Sequence, residues 1–365
     1  MKKVILFIDN LGSGGAQRQV ANIALLLKKA GYDIEVLVYQ DIPFYKSILD
    51  ENGITVTFVE SKNNLSRVLN VRKYLNQSGA DVVIAFLETP GFIACVSKIG
   101  YKKWKLITNE LSAKMSTFTS KRNRFFNLFE KFSDAKVGNS WNAIRMWEKY
   151  YPQYNDKYSV IYNPVLIPDE VDYLTHKYAK DGKVVLTVVA SYQQLKNPIR
   201  LIEAFNMLDE NQKEKLVVNW YGREEITVGN TETYDKTKEL IEKYGLSDYI
   251  HLHNETSEIY KIMSQSDAVG LFSTVEGLPN TICEAMCLGK PIIMSRVSDY
   301  DVLVKDNGYL CDPESVESIK DVLVKLIETP LEKLETMGRA SKNMAKDLFS
   351  AKAITEQWTQ IIEGL

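Results

Sequence analysis

"KKVILFIDNLGSGGAQRQVANIALLLKKAGYDIEVLVYQ", residues 2–40, contains the fold in miniature. "KKVILFID" is an apolar run of strand length. A glycine-rich turn follows. "GAQRQVANIALLLKKAG" then places Val20, Ile23, Ala24 and Leu27 on one helical face and ends at Gly31. "DIEVLVYQ" is a second strand. Strand, helix and strand in succession make a β-α-β unit, which requires a parallel sheet covered by helices.

The same rhythm continues outward. "ADVVIAFLE" (80–88), "WKLITNE" (104–110) and "DAKVGNS" (134–140) read as strands, and Ser140 is placed to cap the helix "WNAIRMWEKYY". Across "VIYNPVLIPDEVDYLTHKYAKDGK" (160–183), with Pro164 and Pro168, periodicity lapses, as in a crossing between domains. A second series starts at "VVLTVVASY" (184–192), apolar enough for a strand buried on both faces. "LVVNWYG", "YIHLHN", "AVGLFS" and "PIIMS" follow, with helices between them. Residues 331–365 read as helical throughout, with Phe349, Ile354, Trp358 and Ile361 as the apolar stripe. The expectation is two Rossmann-like doubly wound α/β domains, residues 1–165 and 166–345, with a terminal helix over 346–365. Ligands of such sheets bind at the carboxyl ends of the strands, and two facing domains would enclose a cleft.

Composition sets the class. The 365 residues are 45% hydrophobic and 25% charged, as in a two-domain globular protein. No apolar run approaches the roughly 18 residues of a spanning helix. The first strand meets Asp9 too soon for a signal peptide. Cys95, Cys283, Cys287 and Cys311 lie in apolar contexts and read as reduced packing residues of a cytoplasmic protein. His251 and His253 alternate on one strand face, but no third metal ligand accompanies them. The net charge of −2 hides an asymmetry: residues 1–165 carry 23 Lys and Arg against 14 Asp and Glu. The first half could therefore face an anionic surface. "KRNRFFNLFEKF", residues 121–132, sets Phe125, Leu128, Phe129 and Phe132 on one helical face among Lys121, Arg122, Arg124 and Lys131. That pattern suits an interfacial helix on an anionic membrane. A cytoplasmic location, peripheral on the inner face of the plasma membrane, is expected, with no nucleic acid as partner.

Three loops carry chemistry. In "NLGSGGAQRQV", Gly12, Gly14 and Gly15 stand between a strand and a helix, where an anion can approach the backbone. A dinucleotide fingerprint fails because its third glycine would fall at Gln17, and no Gly-Lys-Ser/Thr completes a P-loop. In "VVASYQQLKNPIRLIEAF", Lys196 sits at the carboxyl end of a buried strand, beside the Asn197-Pro198 helix start, where it can neutralise a diphosphate. In "VEGLPNTICEAMCLGKPII" (275–293), Glu276 lies in a loop and Glu284 a turn into the next helix. Pro279 suits the first helical turn, Asn280 can cap it, and Gly289 closes it. Helix-start amides would meet phosphates, and each acid could bind the hydroxyls of one sugar.

"EGLPNTICEAMCLGKPII" resembles the signature of retaining family-4 glycosyltransferases of GT-B fold, two glutamates with seven residues between them. "NLGSGGAQRQV", "VIYNPV", "VVASYQQLKNPIRLIEAF", "DNGYLCDP" and "NMAKDLFSAKAITEQW" resemble further segments of that family in the same order. The resemblance implies two domains facing across a cleft, the first binding the acceptor and the second the nucleotide sugar, with the last helix packed back on the first domain. It implies Glu276 at the transferred sugar, Glu284 at the ribose, and backbone donors from Gly277, Leu278, Pro279 and Asn280. Lys196 would bind the diphosphate and assist its departure; Gly14 and Gly15 would let it approach. The family's usual arginine is replaced by Ser191, for which Arg223 could compensate. No histidine falls in the first domain, the three being His176, His251 and His253; Glu88 or Glu110 could stand in. The implied reaction moves a sugar, expected from a UDP-sugar, to a cell-surface glycan or lipid-linked oligosaccharide, without cofactor or metal. The alternatives are a catalytically silent GT-B partner subunit that binds glycan or protein, and a nucleotide-sugar epimerase.

Overall fold

The computed structural model describes residues 1–101, 103–112, 114–167, 182–225 and 229–365. Much of the 160–183 crossing, with Pro168 and His176, lies outside them. The chain divides into two compact units, one formed by Met1–Leu166 with Ser350–Leu365 and the other by Ile167–Phe349.

The first unit is a parallel sheet of β1 (Lys3–Phe7), β2 (Asp33–Val38), β3 (Thr55–Phe58), β4 (Val82–Phe86), β5 (Lys105–Glu110), β6 (Ala135–Gly138) and β7 (Tyr158–Val160), in the order β3-β2-β1-β4-β5-β6-β7. β1 lies between β2 and β4, with Leu6 opposite Val36 and Ile84. Chain order therefore reverses between β1 and β4. Val4 to Phe7 and Val83 to Phe86 have no exposure, as the unbroken apolar runs require. The Gly15–Lys29 helix buries Val20, Ile23, Ala24 and Leu27, and Gly31 beyond it takes φ +93°. Ser140 Oγ accepts from the Ala143 amide at the start of the Trp141–Tyr150 helix.

The tail is two helices, not one. Leu331–Phe349 stays in the second unit, and Ala351–Gly364 belongs to the first. Ser350 takes extended backbone and its side chain caps the second helix, so a new helix starts there. The buried stripe runs through Ile354, Trp358 and Ile362; Ile361 is only partly buried. Lys2 Nζ donates to the Ile362 carbonyl (3.0 Å), and the Tyr32 hydroxyl to Glu363 (2.9 Å).

The second unit is a parallel sheet of β8 (Val184–Val189), β9 (Leu216–Tyr221), β10 (Ile250–His253), β11 (Ala268–Leu271), β12 (Ile292–Ser295) and β13 (Gly308–Cys311). The order is β10-β9-β8-β11-β12-β13, so this sheet reverses between β8 and β11. Cys283 and Cys311 are buried in this unit and Cys95 in the first, all as free thiols. Among the described residues no helix is long and apolar enough to cross a membrane.

Candidate functional site

The reversal between β8 and β11 puts two loops side by side that the sequence keeps far apart. Asn197, in a left-handed conformation (φ +67°), caps the Pro198–Asn206 helix through its backbone and sends Nδ2 to the carbonyls of Phe272 (3.1 Å) and Pro313 (2.8 Å). The Thr274 amide donates to the Leu195 carbonyl (2.8 Å). Ser295 Oγ donates to the Ser273 carbonyl (2.6 Å). These ties bring Lys196 Nζ to 2.5 Å from Glu276 Oε1, which also accepts from Ser273 Oγ (2.7 Å). Both side chains are largely buried but keep some exposure, 20% and 11%, so the pair is still reached from solvent.

The helix after this loop spans Asn280–Cys287, with Gly289 beyond it at φ +69°. Asn280, expected as its cap, is the first helical residue instead. Pro279 holds the cap position and no side chain caps the helix. A proline there fixes the chain entry without a donor of its own. The amides of Ile282 and Cys283 both bond to the Pro279 carbonyl. Gly277 and Asn280 are partly exposed; Leu278 and Pro279 are buried, and Ser298 Oγ donates to the Gly277 carbonyl. Glu284 is 7% exposed and accepts from the Tyr260 hydroxyl (3.3 Å).

Ser191 and Arg223 form a second group. They line a cavity of about 370 Å³ with Val189, Tyr221, Glu255 and Thr256. Arg223 pairs with Glu255 at 3.4 Å, both ends exposed, and its carbonyl accepts from the Tyr192 amide. Thr281 Oγ1 donates to the Val189 carbonyl, so the Glu284 helix abuts the strand that ends at this cavity. Lys196 and Glu276 are not among its lining residues. The site residues of this unit therefore fall into an ion pair and a neighbouring cavity. The sequence carries no sign of that division.

In the first unit, Gly14 is the backbone cap of the Gly15–Lys29 helix. A Cβ on Gly14 would meet the Gln17 side chain, and one on Gly15 would meet nothing within 4 Å. Glu110 ends β5, 7% exposed, and accepts from Ser112 and from Trp147 Nε1 (3.1 Å). Burial pushes its carboxyl up from the ordinary range. Glu88 opens the helix after β4. The 121–132 segment does not form one amphipathic helix. It is Lys121–Asn127 followed by a short 3₁₀ turn at Glu130–Phe132. Phe129 and Phe132 pack on the core, while Phe125 (52%) and Leu128 (60%) stay exposed. His253 stacks on Tyr221 and approaches Asn219 Oδ1, and among the described residues no group of three could hold a metal ion.

Comparisons with known proteins bear on the fold and the class. Residues 174–344 match the family glycosyl transferases group 1. The chain has the GT-B fold, and its second unit carries a glycosyl transferases group 1 domain. It is 25% identical, over 99% of its length and 98% of the relative's, to the Campylobacter jejuni GalNAc-alpha-(1->4)-GalNAc-alpha-(1->3)-diNAcBac-PP-undecaprenol alpha-1,4-N-acetyl-D-galactosaminyltransferase. A second Campylobacter jejuni enzyme, N-acetylgalactosamine-N,N'-diacetylbacillosaminyl-diphospho-undecaprenol 4-alpha-N-acetylgalactosaminyltransferase, is 23% identical over 95% of this chain and 94% of its own. Among solved structures, Anabaena HepE in complex with UDP superposes with a TM-score of 0.83 at 18% identity, covering all of both chains. These named relatives are transferases, which favours neither the silent-subunit nor the epimerase reading.

Proposed function

We propose that the chain is a retaining transferase that moves a sugar from a UDP-sugar to a lipid-linked oligosaccharide. The observation that carries this reading is the Lys196–Glu276 pair, 2.5 Å apart at the carboxyl-end switch point of the second sheet, beside a helix start. A cation there offsets the charge that grows on a leaving diphosphate, and the helix start adds fixed dipoles. Lys196 takes the diphosphate and Glu276 the transferred sugar. Glu284 takes the ribose, and the segment from Gly277 to Asn280 supplies backbone donors. Ser191 and Arg223 line the adjoining cavity for the remainder of the nucleotide. On the first unit, Gly14 and Gly15 open a helix whose start can take an anion. With Lys196 in this role the reaction needs no metal, so excess EDTA leaves the rate unchanged.

The acceptor class is supported by the two Campylobacter relatives, whose names specify undecaprenol-linked oligosaccharides. A lipid-linked acceptor fits an enzyme working at a membrane surface, in our reading the inner face of the plasma membrane. The exposed Phe125 and Leu128, among the exposed Lys121, Arg122 and Arg124, offer an anionic bilayer a contact. The test supplies a panel of UDP-sugars with and without an undecaprenyl-diphosphate-linked oligosaccharide. UDP is expected only when the acceptor is present, and NMR of the product should show the donor's anomeric configuration. UDP release without acceptor, or an inverted anomer, would refute the reading. Liposome flotation tests the membrane contact, with recovery on anionic and not neutral vesicles expected.

A further inference from the structure

The loop that carries Glu276 is held by three serine hydroxyls. Ser273, two residues past β11, has no exposure, and its Oγ donates to Glu276 Oε1 (2.7 Å). That is the oxygen Lys196 Nζ meets at 2.5 Å. Ser295, at the end of β12 and equally buried, donates from Oγ to the Ser273 carbonyl (2.6 Å). Ser298 donates from Oγ to the Gly277 carbonyl. The backbone of Ser298 is left-handed (φ +55°), which is uncommon for a residue with a side chain, and strain of that kind gathers at functional sites. Ser295 and Ser298 thus fix the main chain on either side of Glu276, at residues 273 and 277, while Ser273 fixes the carboxylate itself.

The two donors on Glu276 Oε1 differ in freedom. Ser273 has a short, fully buried side chain, and its own carbonyl is anchored to β12. Lys196 has a long side chain on the neighbouring loop and keeps 20% exposure. A diphosphate would draw the lysine away. Glu276, whose side chain is 11% exposed, would then lose a donor while largely buried, and a buried charge that loses a partner costs free energy. Ser273 is the donor that stays. Its bond is charge-assisted, hence among the stronger kinds.

We infer that Ser273 is a positioning residue that holds the Glu276 carboxylate in place while Lys196 turns to the diphosphate. It lowers the cost of releasing the lysine and leaves the carboxylate aimed for the transferred sugar. The inference rests on the reading of Lys196 as the diphosphate group and of Glu276 as the acid at the sugar. A serine that served the fold alone would behave differently, because its loss would be felt whether or not Glu276 was present.

Calorimetry with UDP on the full chain tests this, in a cycle of wild type, Ser273→Ala, Glu276→Ala and the double variant, each with its melting temperature. Ser273→Ala should weaken UDP by roughly five-fold or more, the low end of what an unpaired buried polar group costs. In the Glu276→Ala background the same change should alter UDP affinity by less than about two-fold, the usual margin for uncoupled sites, because no carboxylate remains to be held. Ser273→Cys, similar in shape but a weak donor, should fall between wild type and Ser273→Ala. Equal UDP affinity of wild type and Ser273→Ala overturns the inference. So does an equal loss in both backgrounds, which would show that the hydroxyl serves the loop and not the carboxylate. If Ser273→Ala does not fold, Ser273→Cys takes its place in the cycle under the same criteria, and failure of both to fold overturns the positioning role. Failure of the donor reading shows in the arms without a Ser273 change: a wild type that does not bind UDP, or a Glu276→Ala protein whose affinity collapses, refutes that reading and takes the inference with it.

Discussion

Both sheets reverse chain order at their centre, β1 against β4 in one unit and β8 against β11 in the other, yet they treat charge in opposite ways. At the β8/β11 end, Lys196 and Glu276 meet between two loops, beside a helix start, and remain partly exposed. In the other unit, Lys136 and Glu130 on β6 and the turn before it are 5% and 8% exposed, 3.2 Å apart, with Thr108 and Ser133 filling the remaining bonds of Glu130. A buried pair has lost its water and depends on its partner. Lys196, 20% exposed, keeps a path to solvent along which it can turn from Glu276 to a ligand. The Lys136–Glu130 pair therefore holds a fold together, and the Lys196–Glu276 pair is the one left open to a ligand.

The sharpest break of that comparison is Lys136→Met. It leaves Glu130 as an uncompensated buried charge, so stability should fall by about 3–5 kcal/mol, read as a lower urea midpoint. A loss below about 1 kcal/mol would show that water reaches the pair. Lys196→Ala should do the reverse: an unfolding midpoint close to wild type and turnover lower by about 10²–10³, the scale for one preorganised donor at a leaving oxyanion. An active Lys196→Ala enzyme would remove the lysine from the mechanism.

Glu276 and Glu284 divide the second unit further. Glu276 holds Lys196 in the ligand-free chain, so Glu276→Ala releases that lysine for phosphate. Turnover should collapse while UDP binds as well as before or better. Glu284→Ala should weaken UDP by about 1–3 kcal/mol, the range for a charged hydrogen bond. Calorimetry with UDP on both variants decides between them, and the opposite pattern would exchange the two roles.

The parts legible in sequence are those with strong local signals. β1, β4 and β8 are unbroken apolar runs, and Ser140 and Gly31 mark helix ends. β3, "TVTF", escaped because an edge strand buries little: Thr55 and Phe58 are exposed. β7 has three residues and no fully buried one. The helix break at Ser350 was hidden because the apolar spacing continues across it. The residues of the donor site were visible one by one, but the Lys196–Glu276 contact spans 80 positions and exists only because β8 and β11 are neighbours. That Asn109 Oδ1 and Thr117 Oγ1 are buried without a hydrogen-bond partner could not be foreseen, since polarity in a sequence does not say which polar groups find partners. The 121–132 stripe misled for a related reason. Its spacing is helical, but the chain turns at Leu128 and delivers half of the aromatics to the core.

Two glycines close the comparison at the smallest scale. Gly222 follows β9, and a Cβ there would stand 1.9 Å from the Ala190 carbonyl oxygen, with backbone that cannot yield. Gly222→Ala should cost about 1–3 kcal/mol of stability, as overpacking does, whether or not a ligand is present. Gly15 has no positive φ, and a Cβ there meets nothing within 4 Å. The fold gives no reason for a glycine at this helix start, where alanine reduces the entropy lost on folding. Gly15→Ala should therefore leave stability unchanged or raise it by less than about 1 kcal/mol. If the missing side chain is room kept for a diphosphate, the same variant should have a higher KM for the UDP-sugar. An unchanged KM would mean that Gly15 is only a tolerated turn residue.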